Sequence, residues 1–124
     1  MHRARVFFAG RDAPEDMSGA DVVVVAAAAV DWGEPIRVRA PNAVVVVVGE
    51  SPQAICEATL FPRSRIIGVV DRSDADAVVD AVVNDLDRKF DAVVRCEGER
   101  GIEGEFARVP VRVGARGIRE IVED

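Results

Sequence analysis

The chain has 124 residues, a net charge of −6, an apolar fraction of 49% and a charged fraction of 31%. That length supports one domain with a core of ordinary size, and the composition is that of a globular chain rather than a disordered one. An acidic balance, with scattered arginines and Lys89 as the sole lysine, excludes a nucleic-acid surface, because phosphate binding needs clustered positive charge.

In chain order, Arg5–Ala9 is a short first strand. Asp21–Ala28 and Ala43–Val48 are Val-rich runs without polar alternation, as expected of parallel strands buried on both faces. Both are far shorter than the ~20 residues of a membrane span. The basic start Met1–Arg5 leads into too few apolar residues for a signal peptide, so a cytoplasmic protein is expected. Between these two runs, "VDWGEPIRV" carries glycine and proline and reads as a loop. Its lone tryptophan, Trp32, either contacts a ligand or partner or docks on the core.

Ser51-Pro52 is a helix start signal, a capping hydroxyl followed by proline at the first helical position. This helix should stop before Pro62, with Cys56 facing inward. Arg65–Val70 is the next buried strand. A second helix, starting near Ser73 with Asp74 as a candidate cap, carries Val78, Val79, Val82, Val83 and Leu86 at helical spacing. From Asp91 the runs become short, half-polar and glycine-bounded, which predicts an antiparallel meander with one exposed face. Cys56 and Cys96 lack metal-ligand spacing and read as two free thiols. No metal site is expected.

Four blocks in order carry a resemblance to the lactate/malate dehydrogenase family. "APEDMSGADVVVVAAA" resembles the approach to the fourth strand of its nucleotide-binding sheet. "PNAVVVVVGESPQAICEATL" is similar to the fifth strand, its Asn-Pro corner and the following helix. "FPRSRIIGVVDRSDADAV" is similar to the Pro-Arg-x-Arg-Val-Ile-Gly segment and its Asp-x-x-Arg helix, and Gly98–Glu123 to the final strands. The resemblance implies a reduced α/β Rossmann-like fold. Residues 1–90 would form a parallel sheet with two flanking helices, and residues 91–124 a C-terminal antiparallel β-meander, together a single domain.

The functional set of the family is incomplete. No Gly-x-Gly-x-x-Gly loop is present to hold a pyrophosphate, and the only histidine is His2. Asp74 matches the family's catalytic aspartate, but Ala77 stands where its substrate-binding arginine belongs. Ser51 replaces the corner asparagine, Asp31 the first arginine of the mobile loop, and Arg37 stands at the second. The resemblance therefore makes NAD a possible cofactor, with Ala27, Ala28 and Val48 at its strand ends and Arg37 and Ser51 as anion or substrate candidates. Arg37 and Arg39 are expected near the carboxyl ends of the strands.

The expectation is a catalytically inactive binding or assembly module. Its rivals are a residual nucleotide or anion binder, or an NAD-dependent malate/lactate dehydrogenase subunit completed by another chain. The resemblance also places the family's first strand centrally. Arg5–Ala9 must therefore fill that position or leave an exposed edge, so a homo-oligomer or a protein partner is expected.

Overall fold

The computed structural model describes residues 5–12, 14–26, 29–49 and 51–122. Four strands run first: β1 (Val6–Phe8), β2 (Val22–Val25), β3 (Val44–Val48) and β4 (Ile66–Val69). Helices α1 (Ala29–Arg39) and α2 (Gln53–Thr59) link β2 to β3 and β3 to β4, and α3 (Arg72–Val83) follows β4. Long β5 (Arg88–Glu97) and β6 (Glu103–Gly114) then form a hairpin, and β7 (Gly117–Ile121) closes the order. The sheet has seven strands in sequence order, with β1 to β4 parallel and β4 to β7 antiparallel. This is the expected parallel sheet with its antiparallel tail.

The valine runs lack polar alternation because both of their faces are covered. Val22, Val24, Val44 and Val46 point to α3, which returns Ala75, Val78, Ala81 and Val82. Val23, Val25, Val45 and Val47 point to the other side, where Ile36 of α1 and Ile55 of α2 meet them. Each such buried side chain contributes roughly 1.5–3 kcal/mol. The valines sit in register across the sheet, Val22 beside Val44 and Val47 beside Gly68. Gly68 marks the change to antiparallel pairing: it faces Val93, and a Cβ there would lie 3.1 Å from Pro52, from Val93 Cβ and from the Val93 carbonyl.

The loop expected over "VDWGEPIRV" is instead the body of α1. Gly33 reads as a loop residue but serves a helix contact: it is buried, and a Cβ there would fall 2.2 Å from Ala58 Cβ of α2. Helices approach this closely only where one side chain is absent. Pro35, inside α1, removes one helical N–H, so packing rather than propensity holds this helix. The described residues thus form three α-helices where sequence patterning indicated two.

Helix α3 begins at Arg72, beside the expected Ser73. Asp71, not Asp74, is the cap: its Oδ1 accepts from the Asp74 N–H at 3.0 Å and from the Ser73 hydroxyl at 2.9 Å. These donors, the Asp74 N–H first, hold the Asp71 carboxyl below the usual carboxylate range. Asp74 sits in the first turn, where its charge still favours the helix dipole.

Trp32 docks on the core. Its ring lies 6.1 Å from the Phe7 ring at 60°. Cys56 packs against the same cluster.

Candidate functional site

Open α/β sheets place ligands outside the carboxyl ends of their strands, so that rim is the first place to build a site. At the end of β1 the chain turns back on itself. Phe8 O accepts from the Arg11 and Asp12 N–H groups at 3.1 and 2.9 Å, and Asp12 Oδ2 accepts from the Phe8 N–H at 2.8 Å. A one-turn 3-10 segment, Pro14–Met17, then leads towards β2. Arg5 braces it, donating to the Ser18 and Asp16 carbonyls at 2.8 and 3.0 Å. Asp12 puts a carboxylate beside this strand end, while the bonds from Arg5 hold Asp16 and Ser18 towards the amino end of the strand.

Val48 and Ser51 lie at the end of β3. Val48 is half-buried and packs towards α3. Ser51 is exposed, and its hydroxyl accepts from the Gln53 N–H at 3.3 Å, steadying the first turn of α2. Asp74 stands just beyond the neighbouring strand end of β4. The sheet therefore groups Val48, Ser51 and Asp74 at one rim. Ala27 and Ala28 lie outside the described residues, as does His2, and no described side chain near Asp74 is an imidazole.

Arg37 does not join them. It is exposed on the last turn of α1, and that turn reaches the amino end of β2, where the Gly19 N–H donates to Arg39 O at 3.1 Å. Because α1 runs antiparallel to the strands it connects, Arg37 and Arg39 lie at the rim opposite Ser51. The expected position of both arginines near the carboxyl ends is thus corrected by the helix that replaces the loop.

Two concavities lined by described residues lie away from this rim. One of about 390 Å³ is lined by Arg63, Arg95, Arg119 and Glu99 among others, where β7 curls towards the turn before β4. Each of its guanidinium groups has a carboxylate. Arg63 grips Glu99 through two bonds of 2.8 Å, Arg95 stands 3.4 Å from Glu97, and Arg119 bonds Asp85 at 2.5 Å. The Arg63 pair fastens the meander to the turn before β4 and the Arg119 pair fastens β7 to the end of α3, while Arg95–Glu97 lies within β5, so no cation here is left for an anionic ligand. Sequence reading missed them because Arg63 and Glu99 are 36 residues apart and belong to no local pattern.

The Arg63 pair holds Glu99 well below the ordinary carboxylate value of 4.5, at about 2. A carboxyl depressed in the folded state stabilises fully above its unfolded value, and that contribution is lost as pH falls through the folded one. The stability difference between the wild type and Glu99→Gln is therefore expected to be greatest above pH 4.5 and to shrink towards pH 2. Thermal melts across that range check it.

Arg65 of the Pro62-Arg-Ser-Arg segment is structural too. It donates to the Pro41 and Ala43 carbonyls at 2.6 and 3.3 Å and stacks 4.1 Å over Phe61. Both cysteines are free, and burial pushes their thiols up. They are held as thiols rather than nucleophilic thiolates. No cluster among the described residues is arranged to hold a metal, and no described helix is long and apolar enough to cross a membrane.

No family model and no curated protein matches the sequence. Solved structures do match. The malate dehydrogenase of Aeropyrum pernix aligns at 18% identity with a TM-score of 0.79, covering 91% of this chain and 70% of that one. The lactate dehydrogenase of Eimeria maxima, solved with NADH and oxamate, aligns at 14% identity with a TM-score of 0.81, covering 91% and 69%. The malate dehydrogenase of Salinibacter ruber aligns at 15% identity with a TM-score of 0.78, covering 86% and 68%. The fold is a reduced lactate/malate dehydrogenase fold.

Within that dehydrogenase fold, both alternatives for the first strand hold together. β1 pairs with β2, the strand that the resemblance makes the fourth, and so takes the central strand's place. It also ends the sheet. The edge is nevertheless short, and the Asp12 turn occupies both the N–H and the carbonyl of Phe8. A blunted edge of this kind is a poor template for strand pairing.

Proposed function

We propose that this chain is a descendant of the lactate/malate dehydrogenases that has left hydride transfer behind and acts as a binding or assembly module. One observation carries the reading. A dinucleotide pyrophosphate needs backbone N–H groups and a helix N-terminus beyond the first strand. Here the Phe8 N–H is taken by the Asp12 carboxylate, and the segment that follows is a single acidic 3-10 turn. The Asp12 carboxylate stands at the strand end beside which the phosphates would lie, so the residues present do not fit NAD at this position.

The rest of the rim agrees with this reading. Asp74 has no imidazole among the described residues to orient, and Ala77 offers no bidentate partner for a substrate carboxylate. Arg37, the one candidate for that partner, is at the opposite rim. A self-associating or partner-binding role is what a folded scaffold without this machinery retains.

The test is a titration of the purified chain with NADH, read by quenching of Trp32 emission and energy transfer to the reduced nicotinamide. No saturable signal up to millimolar NADH is expected. Saturation in the micromolar range would overturn the reading and restore a dehydrogenase subunit completed by another chain.

A further inference from the structure

One side of the sheet carries two unfinished surfaces. The first is a groove of about 810 Å³ between the Pro14–Met17 turn and α1, lined by Met17, Asp31, Trp32, Glu34, Pro35, Val38 and Arg39. Asp31, Glu34, Pro35 and Val38 recur at helical spacing on the side of α1 away from buried Gly33, Ile36 and Ala40. Val38 is 64% exposed, an apolar side chain left facing water. Asp31 and Glu34 make no ion pair with any described residue. Arg39, at the far end of the groove, already has a partner.

The second surface is the outer face of the β5–β6 hairpin. Ala92, Val94, Val109 and Val111 turn inwards to the α3-side core, so Lys89, Val93, Arg108 and Pro110 turn outwards by alternation. Phe106, on that outer face, packs with the α1 and α2 side of the core. The hairpin therefore shows the same side of the sheet as α1, with α2 between. Val93 and Pro110 are half-buried, and Lys89 and Arg108 are exposed. Neither cation pairs with a described carboxylate. Asp91 shares the face, and Arg112 is already paired with Glu120 at 3.0 Å.

Building on the proposed assembly role, we infer that the partner for the groove is a second copy of this chain. The two copies are related by a two-fold axis passing near α2. Because the acidic apolar groove and the basic apolar strand face flank α2 on one side of the sheet, that rotation lays each groove over the other copy's hairpin. Asp31 and Glu34 then meet Lys89 and Arg108, and Val38 and Pro35 meet Val93 and Pro110. Such an interface is self-complementary and closes at two copies. Its charges set the register and orientation, and the apolar strip supplies the burial.

Sedimentation of the wild type over a micromolar-to-millimolar series is expected to show a monomer–dimer equilibrium. Asp31→Arg/Glu34→Arg and Lys89→Glu/Arg108→Glu should each raise the dimer Kd by roughly a hundredfold, with each variant still folded by circular dichroism because all four side chains are exposed. The first should melt slightly lower, because Asp31→Arg reverses a charge at the start of α1. Mixing the two variants should restore the dimer as a heterodimer, since each reversed groove then meets a reversed hairpin. A wild-type dimer indifferent to both reversals would overturn this interface and leave the assembly role standing. Two monomeric variants that fail to recombine would overturn the pairing of these surfaces. A wild type that stays monomeric throughout would overturn both the interface and self-assembly as the role.

Discussion

Gly117→Ala is expected to destabilise the chain by roughly 3–5 kcal/mol. Gly117 opens β7 with φ of +98°, and an ideal Cβ on it would lie 2.2 Å from the Ser64 carbonyl oxygen and 3.2 Å from its carbon. Two costs coincide there. The backbone leaves the region an alanine prefers, and the clash is with main chain, which cannot rotate away as a side-chain tip can. Gly104→Ala separates the two terms. Its φ is +74° with nothing within 4 Å of the added methyl, so it should lose only about 1–2 kcal/mol. Equal losses for both variants in urea unfolding would mean that β7 does not rest on the Arg63–Arg65 turn. Because that contact, with the Arg63–Glu99 pair, joins the meander to the parallel half, Gly117→Ala should also weaken the protection of β7 amides first.

The sequence made the sheet legible where hydrophobicity is continuous. Runs such as Val44–Val48 can be buried on both faces only inside a layered α/β domain, and their register follows from that burial. The α3 stripe was equally plain, because Val78 and Val82 recur at helical spacing against an acidic far side. Helix α1 was not legible. Gly33 and Pro35 are loop signals in isolation, and what makes the segment helical is Ala58, a residue on another helix. The same limit applied to the candidate site. Asp74, Val48 and Ser51 follow the strand ends, so strand logic alone puts them at one rim. The location of Arg37 depended on whether its segment was loop or helix, and a helix carries it the length of the sheet to the other rim. Arg63 and Glu99 had no local signature, since their bond exists only because β5 and the turn before β4 are neighbours in space. The Asp12 turn was hidden for a different reason: its carboxylate answers a backbone N–H, which no side-chain pattern records.

The contact between α1 and α2 gives the other large expected effect. Gly33→Ala should gain up to about 1 kcal/mol of helix propensity. It should lose more, roughly 2–3 kcal/mol, because the new methyl would sit 2.2 Å from Ala58 Cβ. The net expectation is a loss of about 1–2 kcal/mol. Ala58→Gly alone should cost about 1 kcal/mol through propensity in α2. If the two losses were independent they would add. The double variant instead moves the methyl from one helix to the other and should return close to wild type, a coupling of about 2 kcal/mol in a cycle of four urea midpoints. Additive losses would show that the helices are not in contact at this pair. The exchange also bears on the proposed interface, because Asp31, Glu34, Pro35 and Val38 keep their direction only while the opposite side of α1 is seated on Ala58. Gly33→Ala alone should therefore weaken self-association more than its modest stability loss would suggest, and Ala58→Gly should restore it. Residual weakness in the restored double variant would place the dimer contact somewhere other than this side of α1.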